Sequence, residues 1–345
     1  MTTETISAQL DRLRRAVSYD VYDMTVRQLV DMVGGGEINI APEYQRHFVW
    51  KSDRESELVE SIFLGIPVPS LYMAANSDGT WEVVDGVQRL STLAHFCGSA
   101  DLIRKVGRAD PLRLEGLQKL SSMNDKTFDE LPAAIQLQFQ LRPVRVTTLN
   151  DKSDFAVRYD LFERLNTGGV KLHPQEIRNC VIQGSFRDLL RSLALDANFV
   201  EVVKLAETEQ KSAIQEECVL RFFAYTERYQ DFDHSVKEFL TDYMIDKTKH
   251  TIDPALVDLF KTTMAWLKTE LPDGIVRGRQ ATPINLFEGV AVGAALAIRQ
   301  NPNPPRGKLA QIMTSDELRK FTNVGTNTKR MVTGRIEYVR DQLLV

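Results

Sequence analysis

The sequence predicts an α+β N-terminal half followed by an α-helical C-terminal half. Two observations carry that prediction. Every extended, alternating segment falls within the first 150 residues, and from about Pro174 onward apolar residues recur at helical spacing almost without interruption. No fixed-period repeat runs through the chain. At 345 residues, 43% hydrophobic and 26% charged, the chain can bury a sizeable core as one large or two ordinary domains. The expected division is an N-terminal helix over 1–19, an α+β domain over 20–170 and a helical domain over 171–345.

Taken in order, residues 5–17 carry helical spacing, and Thr25 opens "TVRQLVDMV", a short capped helix that stops at Gly34-Gly35-Gly36. No GKS or GKT follows those glycines, which excludes a Walker A loop. "INIAPEYQRHFVW" alternates, and Pro42 disfavours helix at Ala41, so it reads as extended. In "SDRESELVESIFLG", Ser52 is a candidate N-cap with Glu55 three residues on, while Leu58, Ile62 and Phe63 share one face before Gly65. "IPVPSLYMAA" and "TWEVVDG" flank Asn76-Ser77-Asp78-Gly79, a hairpin signature. A helix is expected over Val87 to Phe96, a strand over 142–150 and a helix over 153–166. "QEIRNCVIQ", "FRDLLRSLAL", "EECVLRFFAYTERY", "VKEFLTDYMIDK", "PALVDLFKTTMAWLKTEL" and "INLFEGVAVGAALAIR" are helical.

Composition excludes several classes. Cys97, Cys180 and Cys218 lie far apart in no metal-ligand spacing, and the five histidines form no HxxxH or HxH cluster. No run approaches a membrane span, and the start lacks a signal-peptide layout, so no membrane partner and a cytoplasmic setting are expected. The net charge of −4 argues against a generic nucleic-acid coat protein. From Pro304 to Val345, however, eight Lys/Arg stand against four Asp/Glu, a local +4 on a body of −8. Such a tail either touches phosphates or forms a solvated helix face.

Three polar turns stand out in the first half. "VVDGVQRLSTL" places Asp85, Gly86, Gln88 and Arg89 where a strand ends and a helix begins. There the first helical amides and the positive end of the dipole favour phosphate. Gly86 allows close backbone approach, Arg89 supplies a planar fork, Gln88 orients a water or phosphate, and Asp85 holds a divalent metal or accepts a proton. The alternative is that Asp85 caps the helix, Gly86 makes the turn, and Gln88 and Arg89 are solvated. "PEYQRHFVW" sets Tyr44, Gln45 and Arg46 beside Trp50, able to stack on a base, or Tyr44, Phe48 and Trp50 are simply core. "FERLNTGGVKLHPQEIRNC" joins two helices through Asn166, Gly168 and Gly169, an anion nest or an ordinary C-cap. Arg178 follows one turn into the next helix, reaching a phosphate or lying on a solvated face with Asn179.

The ordered run PxYQRxFVW, ELVESIFLGIPVPSLY, VVDGVQRLSTL, FERLNTGGVKLHPQEIRNC and GTNTKRMVTGRI, spanning roughly residues 20–340, closely resembles the GmrSD-type N-terminal domain family. That family looks like a branch of the ParB/sulfiredoxin-like fold. The resemblance implies a mixed sheet with helices over 20–170, and a domain that binds and hydrolyses nucleoside triphosphates (GTP, ATP or CTP, with Mg2+). It also implies a regulatory role in restriction systems that attack modified phage DNA. The family's DGQQR motif maps to Asp85, Gly86, Val87, Gln88 and Arg89. Asp85, Gln88 and Arg89 are the expected catalytic residues, with Asp85 as metal ligand; Val87 stands where the family usually has Gln, so that amide's contact is missing. Tyr44, Gln45, Arg46, Gly86, Asn166, Gly168, Gly169 and Arg178 are expected to hold the nucleotide. Restriction-type members add an HNH nuclease domain, and nothing in residues 174–345 supplies His-Asn-His chemistry. A stand-alone form is therefore expected, with DNA, a separate nuclease effector and further copies of itself as partners.

Lys329, Arg330 and Arg335 open the last helix, which Thr328 caps, and either contact phosphates or are simply exposed. His47 reads as a general base or a partly buried strand residue. Two functional readings compete with a nucleotide-hydrolysing sensor. One is a non-enzymatic nucleotide- or DNA-binding adaptor; the other is a metal-dependent DNA-nicking nuclease using Asp85 and a second acid such as Glu82.

Overall fold

A computed structural model describes every residue except 1–17, 41–49, 77, 150–158, 161, 165–172, 207, 209–210, 279–280 and 324–326. The helix expected over 5–17 lies outside the described residues. The chain divides into two compact units, Met1–Leu172 and His173–Val345.

Unit 1 runs β1 (Tyr19–Thr25), α1 (Val26–Gly35), β2 (Ile38–Asn39), α2 (Ser52–Leu64), β3 (Leu71–Ala75), β4 (Trp81–Asp85), α3 (Val87–Cys97), α4 (Ala100–Lys105), α5 (Ala133–Gln140) and β5 (Pro143–Leu149). The five strands form one mixed sheet in the order β1-β5-β3-β4-β2. β3 runs parallel to β5 and β2 parallel to β4; the other neighbours are antiparallel. Val26, Leu29 and Val33 of α1, Val59 and Ile62 of α2, and Leu90, Leu93 and Phe96 of α3 bury against Met73, Val83 and Val146 of the sheet. Each such side chain contributes roughly 1.5–3 kcal/mol when fully buried.

Local signals set most boundaries. Thr25 and Gln28 form a reciprocal capping box, Gly36 ends α1 at φ 89°, and Gly65 ends α2 at φ 71°. The hairpin closes through Asn76 N–H to Thr80 O at 2.8 Å, with Gly79 at φ 87°. Ser52 does not cap α2: Lys51 occupies the N-cap and no side chain bonds there. Glu55 is instead drawn into the interior, where it pairs with two basic side chains described below. β1 is not apparent from the sequence, because as an edge strand it leaves Tyr19 to Asp23 exposed and shows no alternation. Its pairing with β5 from Tyr19↔Leu149 to Thr25↔Pro143, with Arg145 Nε donating to Asp23 at 3.0 Å, holds it in place. Of the helix expected over 153–166, residues 159, 160 and 162–164 are described and helical.

Among its described residues the regular elements of unit 2 are helical: α6 (Pro174–Val181), α7 (Ser185–Ala194), α8 (Ala197–Val202), α9 (Lys211–Arg228), α10 (Val236–Thr248), α11 (Pro254–Glu270), α12 (Ile284–Phe287), a π-helical turn (Glu288–Val292), α13 (Gly293–Gln300), α14 (Leu309–Thr314), α15 (Asp316–Thr322) and α16 (Lys329–Leu344), with a short 3-10 turn at Tyr229–Asp231. A Cβ on Gly293 would lie 2.7 Å from Val339 Cβ, so glycine lets α16 pass close to the π-helical turn and α13. The two parts together are mixed α+β with a helical C-terminal half. No helix among the described residues is long and apolar enough to cross a membrane.

Candidate functional site

β4 ends at Asp85 after a bulge: Met73 pairs with Val83 but Tyr72 pairs with Asp85, so Val84 is the extra residue. Paired residues share a face, which puts Asp85 on the side of Tyr72 and, two rungs on, of Glu82 opposite Ala74. Gly86 then turns the chain at φ 100°, ψ 15°, as N-cap of α3, and Leu90 N–H donates to Gly86 O at 2.8 Å. No side chain caps this helix. The left-handed backbone at Gly86 favours glycine, and a Cβ there would stand 2.4 Å from Leu71 Cδ2 and push that side chain aside. Gly86→Ala is expected to cost about 1–3 kcal/mol. Thermal unfolding checks this; an unchanged Tm would mean that the turn relaxes freely.

Asp85 neither caps α3 nor stands alone. Its carboxylate accepts from Arg89 Nη2 at 2.7 Å across one helical turn. Arg89 Nη1 donates to Ser70 O at 3.1 Å and to Pro69 O, so one guanidinium ties the start of α3 to the residues entering β3. The side chain is only 13% exposed. Burial lowers its pKa, opposed by the Asp85 charge and, on the same sheet face, by Tyr72. Gln88 is likewise not solvated, because its Oε1 accepts the Trp50 N–H at 3.1 Å. The DGVQR turn is thereby fastened to the residue that closes the "PEYQRHFVW" stretch.

A cavity of about 990 Å³ opens beyond Trp50, lined by residues that include Lys51, Glu55, His95, Arg108, Asp110 and Arg113, and not by Asp85, Gln88 or Arg89. At its wall Glu55, with 2% of its side chain exposed, takes His95 Nδ1 at 2.6 Å and Arg108 Nη2 at 3.1 Å. His95 Nε2 donates to Asp110 O at 2.9 Å, since a carbonyl can only accept. Sequence reading missed this group. Its only local sign is a Glu inside an apolar helical face, which a capping box explains equally well.

Of the other residues expected at the site, Tyr44, Gln45, Arg46, Asn166, Gly168 and Gly169, like His47, lie outside the described residues. Arg178 does not lie on a solvated face. It is 1% exposed, and its guanidinium donates to Thr241 Oγ1 at 3.1 Å, Gln175 Oε1 and Glu217 Oε2 at 3.0 Å each, and Lys237 O at 3.3 Å. Those bonds join α6, α9 and α10, and Asn179 is buried beside it against Glu216. Arg335 is also turned inward, fully buried against Glu288, whereas Lys329 and Arg330 are exposed. Among the described residues no group of three or more His, Cys, Asp or Glu is gathered to hold a metal ion.

An α+β unit with a polar glycine turn at a strand-to-helix junction, continued by a buried polar helix, is therefore the class defined by these features. Residues 26–183, from the first residue of α1 to just past α6, match the family described as GmrSD restriction endonuclease, N-terminal domain. The chain carries a domain of that family. No curated protein is similar enough to this chain to count as a match.

Proposed function

We propose that unit 1 binds a nucleoside triphosphate at the Asp85–Arg89 turn and hydrolyses it with Mg2+. On this reading the chain is the nucleotide-dependent regulatory part of a DNA restriction or anti-phage defence system, acting on a separate nuclease. The observation that carries the reading is the start of α3: a left-handed glycine opens it, no side chain caps it, and a carboxylate and a guanidinium flank it. Main-chain N–H groups and the helix dipole at such a terminus suit a polyphosphate.

The residues present fit both groups. Asp85, 35% exposed, is a single carboxylate, and Mg2+ is commonly held by one or two carboxylates together with substrate phosphates and water. Bound there, Mg2+ would offset charge on the phosphates. Arg89 is already paired with Asp85, so a phosphate would compete with that carboxylate for its fork. Gln88 holds Trp50, four residues after Arg46, which supports a shared role for the two motifs. The family match supports the restriction-system setting of this reading. The adaptor reading keeps the binding and drops the hydrolysis. A nuclease would need a second metal-ligand carboxylate beside Asp85; Glu82 shares its sheet face but is buried.

Phosphate release by purified protein with ATP, GTP or CTP and Mg2+ is the test. Arg89→Lys keeps the charge and loses the fork; release is expected to fall about 10- to 100-fold, with Tm measured alongside to track the lost tether to Ser70. Nucleotide uptake without release would leave the adaptor, and no uptake by folded protein would end the reading.

A further inference from the structure

From Arg319 to Ile336 the sequence carries five cations and no acid. One of the five, Arg335, is turned inward to Glu288; Arg319, Lys320, Lys329 and Arg330 are exposed. The packing brings the segments that carry them together. A Cβ on Gly334 would lie 2.4 Å from Phe321 Cε1, so the end of α15 rests on α16 one turn past Arg330. Arg277, from the loop before α12, reaches the same end of α15, donating to Thr322 Oγ1 at 2.8 Å and Met313 O at 2.7 Å. Its Nε is buried and unbonded, and besides burial the like charge of Arg319 weighs on it.

Like charges held together need compensation, and little is supplied from within. Arg319 and Lys320 pair one turn back with the exposed Asp316 and Glu317 at 3.4 and 2.6 Å, contacts of small worth in water. No described carboxylate pairs with Arg277, Lys329 or Arg330. The rest of the chain is net acidic, so this end of α15 stands out from its surroundings.

We propose that Arg277, Arg319, Lys329 and Arg330 form a docking surface for the sugar-phosphate backbone of duplex DNA. Cations from three segments, Arg277 half-buried and the others exposed, match a run of phosphates better than they match a single anion. The contact is sequence-independent and salt-sensitive. It supplies a place on this chain for the DNA of the proposed function, and its test reads DNA binding alone, so it fails separately from nucleotide hydrolysis.

Fluorescence anisotropy of the full chain with a labelled duplex, over a salt series, decides it. Lys329→Gln/Arg330→Gln is expected to weaken binding at least 10-fold at low salt and to reduce the slope of log affinity against log salt by about 2. Lys329→Arg/Arg330→Lys retains the charges and should bind as the parent does, which separates charge from folding. An unchanged slope in the Gln variant, no binding by the parent, or equally tight binding of polyglutamate would each overturn the assignment.

Discussion

Glu288→Ala is expected to destabilise the helical unit by about 3–5 kcal/mol, the range for removing one member of a buried ion pair. Glu288 begins the π-helical turn with 1% of its side chain exposed, and one carboxylate oxygen meets Arg221 Nη1 while the other meets Arg335 Nη2. Arg335 is fully buried, so truncating the acid strips two guanidinium groups of a counter-charge in a medium that solvates them poorly. Arg221 retains Glu217, at 2.6 and 3.0 Å, whereas Arg335 is held in the interior against Glu288 itself. Chemical denaturation of the full chain measures the loss. Glu288→Leu/Arg335→Met removes both charges together and should recover most of it. A Glu288→Ala protein within about 1 kcal/mol of the parent would show that water reaches the pair.

Acid is expected to weaken the same unit through Glu217. Burial by itself would raise this carboxyl, but Arg221, Arg178 and His173 outweigh it and hold the pKa at about 2, against an ordinary 4.5. With the folded value depressed, the unfolded chain binds the extra proton. The stabilisation is therefore complete above pH 4.5 and is lost as pH falls towards 2, to a total of roughly 3 kcal/mol. Arg221 is shifted upward by the same contact, yet a guanidinium stays charged throughout this range, so Glu217 carries the pH dependence. Burial also lowers His173, whose Nδ1 accepts the Gln175 N–H at 3.2 Å, so a further loss begins as pH drops below 6.5. Denaturation midpoints from pH 6 to pH 2.5 test this. The parent should weaken steeply below pH 4.5, and Glu217→Gln, weaker at neutral pH, should show a flatter profile; parallel profiles would remove Glu217 from the account.

The Thr25–Gln28 cap, the left-handed stops at Gly36 and Gly65, the Asn76–Gly79 hairpin and the glycine turn of Asp85–Arg89 are all visible in the bare sequence. Each depends on groups within about four residues of one another, where backbone geometry and residue type suffice. The resemblance to GmrSD-type domains was visible for the same reason, since it rests on short ordered motifs. What Arg178, Arg335 and Glu55 do was not visible. In sequence they read as a solvated or phosphate-facing arginine, an exposed tail arginine and a capping acid; in the fold all three are buried ion-pair members. Their partners, Glu217, Glu288 and His95, are 39, 47 and 40 residues away.

Residue order by itself therefore determined the two-part α+β and α-helical plan, most element ends and the polar turn at the head of α3. Tertiary packing alone decided which charges turn inward, that Gln88 grips Trp50, that β1 joins β5 at the sheet edge, and that the end of α15 rests on α16. A turn is settled by neighbours along the backbone, whereas the cost of burying a charge is settled by whichever distant group comes within bonding reach.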